Sequence, residues 1–171
     1  MLLDRARAGD AHAREALIGR YLDDVYALAV RITGDRDLGA DAAQDAMLNA
    51  LRGLASFRGE ASLRTWLLRI TANAARTLLR RSGRRREVAL ELVDAHADPA
   101  PDPAVVTSAH ADAERALGLL TKLPPKQRET VALRATEGLE YSEIARIMGC
   151  SEGAARVNYH HGMKRLRELM Q

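Results

Sequence analysis

Apolar residues near the start of the chain recur at helical spacing: Leu17, Tyr21, Val25, Leu28 and Ile32 fall at i, i+4, i+8, i+11 and i+15, and no stretch alternates convincingly with period two. The pattern predicts helices only. Asp10, just after Gly9, is placed to cap a helix over about residues 11–32, which Gly34 stops in the left-handed conformation. A second helix is expected over about 37–54, buried through Ala43, Met47, Ala50 and Leu54. Phe57-Arg58-Gly59-Glu60-Ala61-Ser62 then reads as a glycine-containing loop. Its Ser62 caps a third helix running to about Arg81, with Leu63, Trp66, Leu67, Ile70 and Ala74 facing inward.

Between Gly83 and Val106 the helical period weakens and Pro99, Pro101 and Pro103 sit together, which marks a linker. Periodicity resumes over about 108–122, and Pro125 opens a helix that ends near Gly138. Two further helices, Tyr141–Met148 and Glu152–Met170, flank Gly149-Cys150-Ser151. The expected fold is all-α: two small helical domains, 1–82 and 108–171, on a flexible linker over 83–107.

Charge sharpens this division. Over the whole chain 26 Lys+Arg nearly cancel 23 Asp+Glu, yet the signs are segregated: residues 57–86 hold nine basic groups against one acid, and 87–106 hold five acids and no base. A short surface built for a polyanion is followed by an acidic connector. Nearly all the cations are Arg, whose planar fork suits phosphates and guanine edges, although a GC-rich genome favours the same residue for no structural reason.

Other classes fall away. The single Cys150 excludes an intrachain disulfide framework and a Cys-rich zinc module, and fits a reducing cytoplasm. No apolar run is long enough for a membrane span, and Asp4 and Arg5 follow too early for a signal peptide. Phosphate-binding glycine loops, H-E-x-x-H, G-x-S-x-G and EF-hand patterns are missing, so neither enzyme activity nor a cofactor is expected. His160 and His161, with Cys150, do not suggest a metal site, since adjacent helical residues diverge by about 100°.

Three surfaces remain. The last two helices form a helix-turn-helix in which Gly149 permits the reversal and Ser151 caps the second helix. Ala155, Tyr159, Gly162, Leu166 and Leu169 face inward, leaving Arg156, Val157, His160, His161 and Lys164 for solvent or the major groove. Arg69, Asn73, Arg76 and Arg80 form a stripe that can track a phosphate backbone; the helix macrodipole alone would explain Arg80 but not Arg69 or Asn73. Asp37, Asp41, Gln44, Asp45 and Leu48, with Arg52, face outward as an acidic patch around an exposed Leu, either a docking surface for a basic partner or a scatter of exposed residues. Trp66 is in phase with Leu63 and Ile70, which favours core packing over a wedge between bases.

Taken in order, these phrases resemble the extracytoplasmic-function, or group IV, sigma factors of the sigma-70 family. The resemblance rests on the runs Tyr26 to Asp35, Asp41 to Asp45, Phe57 to Asn73, Leu123 to Glu129, Glu137 to Ala145 and Met148 to Ser151. It implies a region 2 domain, a region 4 domain and a subunit of bacterial RNA polymerase that directs promoter-specific initiation. Asp37, Asp41, Gln44, Asp45 and Leu48 would dock on the clamp helices of the largest subunit, and region 4 would meet the flap of the second-largest. Phe57, Arg58, Gly59, Glu60 and Ser62 would hold a base flipped from the minus-ten element, with Arg69, Asn73, Arg76 and Arg80 on the opened strand. Ser151, Arg156, Val157, His160, His161 and Lys164 would engage the minus-thirty-five element. Promoter DNA and an anti-sigma factor are the further implied partners, with no small-molecule substrate, and the implied location is the cytoplasm. The acidic linker would thread past the polymerase active-site channel.

The chain departs from the family pattern at Thr77, commonly aspartate, at Val157-Asn158 and at His160-His161. An unusual upstream element is therefore expected, read less strongly as pH rises through the histidine range. No appended regulatory domain is expected after Gln171. The alternative is a stand-alone helix-turn-helix regulator, which would need the second domain but not the acidic patch.

Overall fold

The computed structural model describes the backbone of residues 1–92 and 108–171, with side chains over 1–85 and 111–171. Every regular element among the described residues is helical. They run α1 (Leu2–Arg7), α2 (Ala11–Gly19), α3 (Leu22–Thr33), α4 (Arg36–Gly53), α5 (Leu63–Leu92), α6 (Ser108–Thr121), α7 (Pro125–Val131), α8 (Tyr141–Met148) and α9 (Glu152–Leu169). None of the described helices is long and apolar enough to cross a membrane.

Asp10 caps as expected, accepting from Ala13 N–H at 3.0 Å. The helix it opens is broken, however: α2 ends at Gly19 and α3 begins at Leu22. The break has a packing reason. Ala13 and Leu17 turn into a small cluster with Ala6 and Leu54, while Val25, Leu28 and Ile32 enter the main core, two directions one straight helix cannot serve. The short helix α1, unanticipated in the sequence, supplies Ala6 to that cluster and is tied down where Arg14 donates to the Ala6 carbonyl at 2.9 Å.

Helix α4 buries Ala43, Met47 and Ala50 as its spacing predicts, and Leu54 follows, buried, in a single 3₁₀ turn over Leu54–Ser56. Thr65 N–H donates to Ser62 Oγ at 3.0 Å, so α5 starts where expected. It does not stop at Arg81. Gly83 sits inside a helix that continues to Leu92, so the linker begins later than residue 83; a mid-helix Gly costs only about 1 kcal/mol, and the surrounding arginines are good helix formers. Pro99, Pro101 and Pro103 lie outside the described residues. Leu68, Thr71, Ala72 and Ala75 are buried beyond the expected stripe because α5 is packed by α3 and α4 and also by α8.

In the second half α7 passes through one π-helical turn, Ala132–Thr136, before α8. Gly149 takes φ 64, and its N–H donates to the Ala145 carbonyl to end α8. Ser151 Oγ then accepts from Ala154 N–H at 3.1 Å to begin α9. The inward stripe of α9 reaches Leu166, which packs with Leu120, Leu123 and Val131; Leu169, expected to be buried, lies past that cluster and is exposed.

The halves do not stand apart. One continuous core joins Leu28, Ile32 and Leu68 of the first half to Leu133, Ile144 and Ile147 of the second. Gly34, at φ 72, lies where an added Cβ would meet Arg128 Nη1 at 2.8 Å, so the end of α3 is itself a contact surface for α7.

Candidate nucleic-acid interface

The loop after α4 is positioned from below by an aromatic pair. Phe57, expected to meet a flipped base, is 6% exposed, and its ring lies 5.2 Å from that of Trp66 at 52°. Burying that ring is worth more than presenting it to solvent. Phe57 therefore forms the floor of the loop, and Trp66 packs inward with it. Arg58, Gly59, Glu60 and Ser62 remain exposed, and Gly59 takes φ 75. Together with Thr65, Trp66 and Arg69, the loop lines a cavity of about 250 Å³ whose other wall is Glu143, Arg146 and Ile147 of α8.

On α5, Arg69, Asn73 and Arg80 face solvent, and Arg80 donates to Thr77 Oγ1 at 3.3 Å. Arg76, placed by its spacing on the same open stripe, is engaged instead. Its Nη2 donates to Asn73 Oδ1 and, at 2.8 Å, to the Ile147 carbonyl, while Nη1 lies 3.2 Å from Glu129 Oε1. The stripe is thus partly covered by the second half of the chain.

The outward face of α9 is open. Arg156, Val157, His160, His161 and Lys164 are exposed, as is the cap residue Ser151. Arg156 is held over the Tyr141 ring at 4.7 Å and by Glu152 at 3.2 Å, a brace that pre-orients a guanidinium at the N-terminal end of the helix. Among the described residues no cluster of three or more His, Cys, Asp or Glu can hold a metal ion.

Asp37, Asp41, Gln44, Asp45 and Leu48 all lie exposed on α4. Beside them runs an apolar groove of about 490 Å³ between α3 and α4, to which Leu22, Tyr26 and Leu51 contribute. Sequence reasoning missed these three. Leu22 and Tyr26 stand four apart as a second apolar stripe on α3, and they are 50% and 37% exposed. A pair of exposed large apolar residues bordered by acids is the signal that could have found them.

The residues joining the two halves were also missed. Glu137, its side chain 4% exposed, accepts from Arg31 at 2.9 Å and from Arg64 at 2.6 Å, and Arg64 also donates to Asp24 at 2.8 Å. Thr65 donates to Glu143 at 3.3 Å, and Arg36 pairs with Glu114. Glu129 is buried at the same junction. Burial pushes its carboxyl up to about 7 against the opposing pull of Arg76, whose 3.2 Å approach lacks hydrogen-bond geometry.

Against known proteins, residues 17–85 match the family model for Sigma-70 region 2 and residues 113–166 that for Sigma-70, region 4. The chain is 30% identical over 184 residues to the ECF RNA polymerase sigma-E factor of Haemophilus influenzae, covering 99% of this chain and 94% of that protein. Its structure is similar to that of CnrH solved in complex with the cytosolic domain of CnrY, with a TM-score of 0.69, 25% identity and coverage of 99% and 94%. It also shares its fold with the sigma factor RpoE of Bartonella quintana, solved with the anti-sigma factor NepR, at a TM-score of 0.72, 24% identity and coverage of 94% and 96%.

Proposed function

The chain belongs to the extracytoplasmic-function sigma factors of the sigma-70 family, and from that premise we propose how its surfaces share the work of starting transcription. It directs promoter-specific initiation by bacterial RNA polymerase. The observation that carries this is the occurrence of region 2 and region 4, in that order, in one chain. A stand-alone regulator would need only the second.

Residues 1–92 serve as the region 2 unit and 108–171 as the region 4 unit. The α3–α4 groove, with Asp37, Asp41, Gln44, Asp45 and Leu48 on its acidic side, docks on the clamp helices of the polymerase. The apolar floor at Leu22, Tyr26 and Leu48 supports this, because it offers a partner area to bury and the acids beside it select a basic one. Helix α9 enters the major groove of the minus-thirty-five element, where exposed Arg156 is suited to bidentate recognition of guanine. Contact of this half with the polymerase flap belongs to the same reading.

The loop Arg58–Ser62 and the exposed Arg69, Asn73 and Arg80 take the opened minus-ten strand. The exposed Arg58 and Arg69 beside the aromatic floor of Phe57 and Trp66 are suited to an unstacked base and its phosphate. Unstacking one base costs a few kcal/mol, which binding energy offsets, so melting proceeds as a binding event and the chain works without an active site of its own. As a polymerase subunit it acts in the cytoplasm, and by analogy with the RpoE–NepR pair an anti-sigma factor restrains it. Reconstitution tests the reading: with purified core polymerase the protein must co-elute and open starts that core alone does not use.

A further inference from the structure

We propose that Tyr141, on the first helix of the helix-turn-helix, is a positioning residue for base readout by the second: its ring holds the Arg156 guanidinium on the exposed face of α9 and so sets how sharply the upstream element is discriminated. The inference deepens the reading of α9 as the helix that enters the major groove, and rests on it.

Arg156 has little restraint from its own helix. It pairs with Glu152 one turn before it, at 3.2 Å, but the two side chains are 55% and 54% exposed. Such a pair is screened by water and salt and leaves a long side chain most of its rotamers. It also occupies a donor that a base would need, because Nη2 of Arg156 is the group that donates to Glu152. The contact with Tyr141 is of another kind. The guanidinium carbon lies over the ring, 4.7 Å from its centroid. An aromatic face attracts a cation without consuming the N–H donors, which lie in the guanidinium plane. The fork is therefore held and still able to meet O6 and N7 of one guanine.

A brace works only if it is itself fixed, and the Tyr141 ring is fixed from several sides. It opens α8 and packs, half-buried, against the main core. Tyr159 of α9 meets it edge-on, with centroids 5.9 Å apart and an interplanar angle of 68°. The guanidinium of Arg134 also lies over it, at 4.9 Å, and Arg134 is tied in turn to the Leu139 carbonyl at 2.8 Å and to Glu140 at 3.0 Å. Among the described residues Arg134 and Arg156 are the two cations over an aromatic ring, and they share this one. Lys164, farther along the exposed face of α9, has a 4.0 Å pair with Glu168 instead. A point charge so loosely held suits a phosphate, whereas a planar fork of set direction suits a base.

The test measures affinity of the full chain for the upstream duplex of a start site mapped with the protein, and for each single-base-pair variant of that duplex. The proteins compared are the parent, Tyr141→Leu, Tyr141→Phe, Arg156→Ala and the double variant Tyr141→Leu with Arg156→Ala. Leu keeps an apolar side chain against the core but offers no aromatic face, whereas Phe keeps the face and loses the hydroxyl. Each discrimination ratio is taken within one protein, so a lowered folded fraction cancels from it. Tyr141→Leu is expected to reduce discrimination at the base pair that Arg156→Ala identifies by roughly two- to fivefold, the range an exposed cation–π contact sustains. Ratios at the other positions stay as in the parent. Tyr141→Phe retains discrimination, and Tyr141→Leu changes no ratio further in the Arg156→Ala protein.

If Tyr141→Leu weakens all duplexes alike and leaves every ratio intact, Tyr141 serves packing alone and the proposal is overturned. It is overturned too if Tyr141→Phe is as damaging as Tyr141→Leu, which would assign the effect to the hydroxyl, or if Tyr141→Leu still lowers discrimination in the Arg156→Ala protein. The reading of Arg156 as a base contact fails separately, when Arg156→Ala by itself leaves every ratio as in the parent; the positioning role then has no object and falls with it.

Discussion

Glu137 holds Arg31 and Arg64 on one carboxylate, at 2.9 and 2.6 Å, with its own side chain 4% exposed. The Arg31 bond spans 106 residues of sequence and the Arg64 bond 73. Such charge-assisted bonds in a nearly dry setting are stronger than surface pairs, and their loss strands two guanidiniums beside each other. A double-mutant cycle between Glu137→Ala and Arg64→Ala, read by denaturant unfolding of the full chain, should give a coupling of roughly 1–3 kcal/mol. Coupling near zero would mean that the two halves do not meet in solution.

Replacing Asp45 with Arg and Leu48 with Ala should abolish co-elution with core polymerase while leaving upstream-duplex affinity unchanged. Leu48 lines the α3–α4 groove and Asp45 lies on the other side of α4, in the cleft it shares with Asn73 and Thr77 of α5; both are exposed and neither supports the core, so the fold should survive. Promoter activity that persists in a defined transcription reaction would remove this groove from the docking site.

Asn73→Ala should spare duplex binding and lower open-complex formation. Permanganate reactivity of thymines in the melted region reads this directly. Unchanged reactivity would show that the exposed side of α5 does not hold the strand.

Arg156→Ala should weaken discrimination at one base pair of the upstream element by roughly 1–3 kcal/mol, with little effect at the others. The measurement is duplex affinity across single-base variants. A uniform loss at all positions would mark Arg156 as a phosphate contact instead.

Glu129 makes stability pH-dependent. Its carboxyl rises from 4.5 to about 7 on folding, because burial outweighs the attraction of Arg76; Arg80, Lys126 and Arg128 line the same cleft. The folded state therefore binds the extra proton, so this contribution is complete below about pH 4.5 and is lost as pH rises through about 7. Glu129→Gln should flatten the fall in unfolding midpoint between those values and be the more stable protein at pH 8, by up to a few kcal/mol. A variant less stable than the parent at pH 8 would show that the Arg76 attraction dominates.

The helical class was legible because Val25, Leu28 and Ile32 keep one phase, and the helix-turn-helix because Gly149 and Ser151 mark its turn with residues whose backbone and capping roles are local. The exposed α9 face followed from that phase. Other features depend on tertiary partners that periodicity does not register. Tyr21 continues the stripe of Leu17 and Val25, yet the chain bends there because two clusters draw those residues in different directions. Phe57 looks like a loop residue until Trp66 lies beneath it, and Arg76 like a phosphate contact until Glu129 and Ile147 reach it from more than fifty residues away. Arg31, Arg64 and Glu137 are single charges in unremarkable helical contexts. Only the packing of one half on the other gives them a partner.

This chain selects promoters for RNA polymerase. The most direct test of this is transcription by purified bacterial core polymerase on a fragmented genomic library of the host, with and without the protein, reading start sites. New starts that share two spaced upstream motifs are the predicted result, and they define both elements at once. No new starts, with no co-elution of the protein and core polymerase, would contradict the claim.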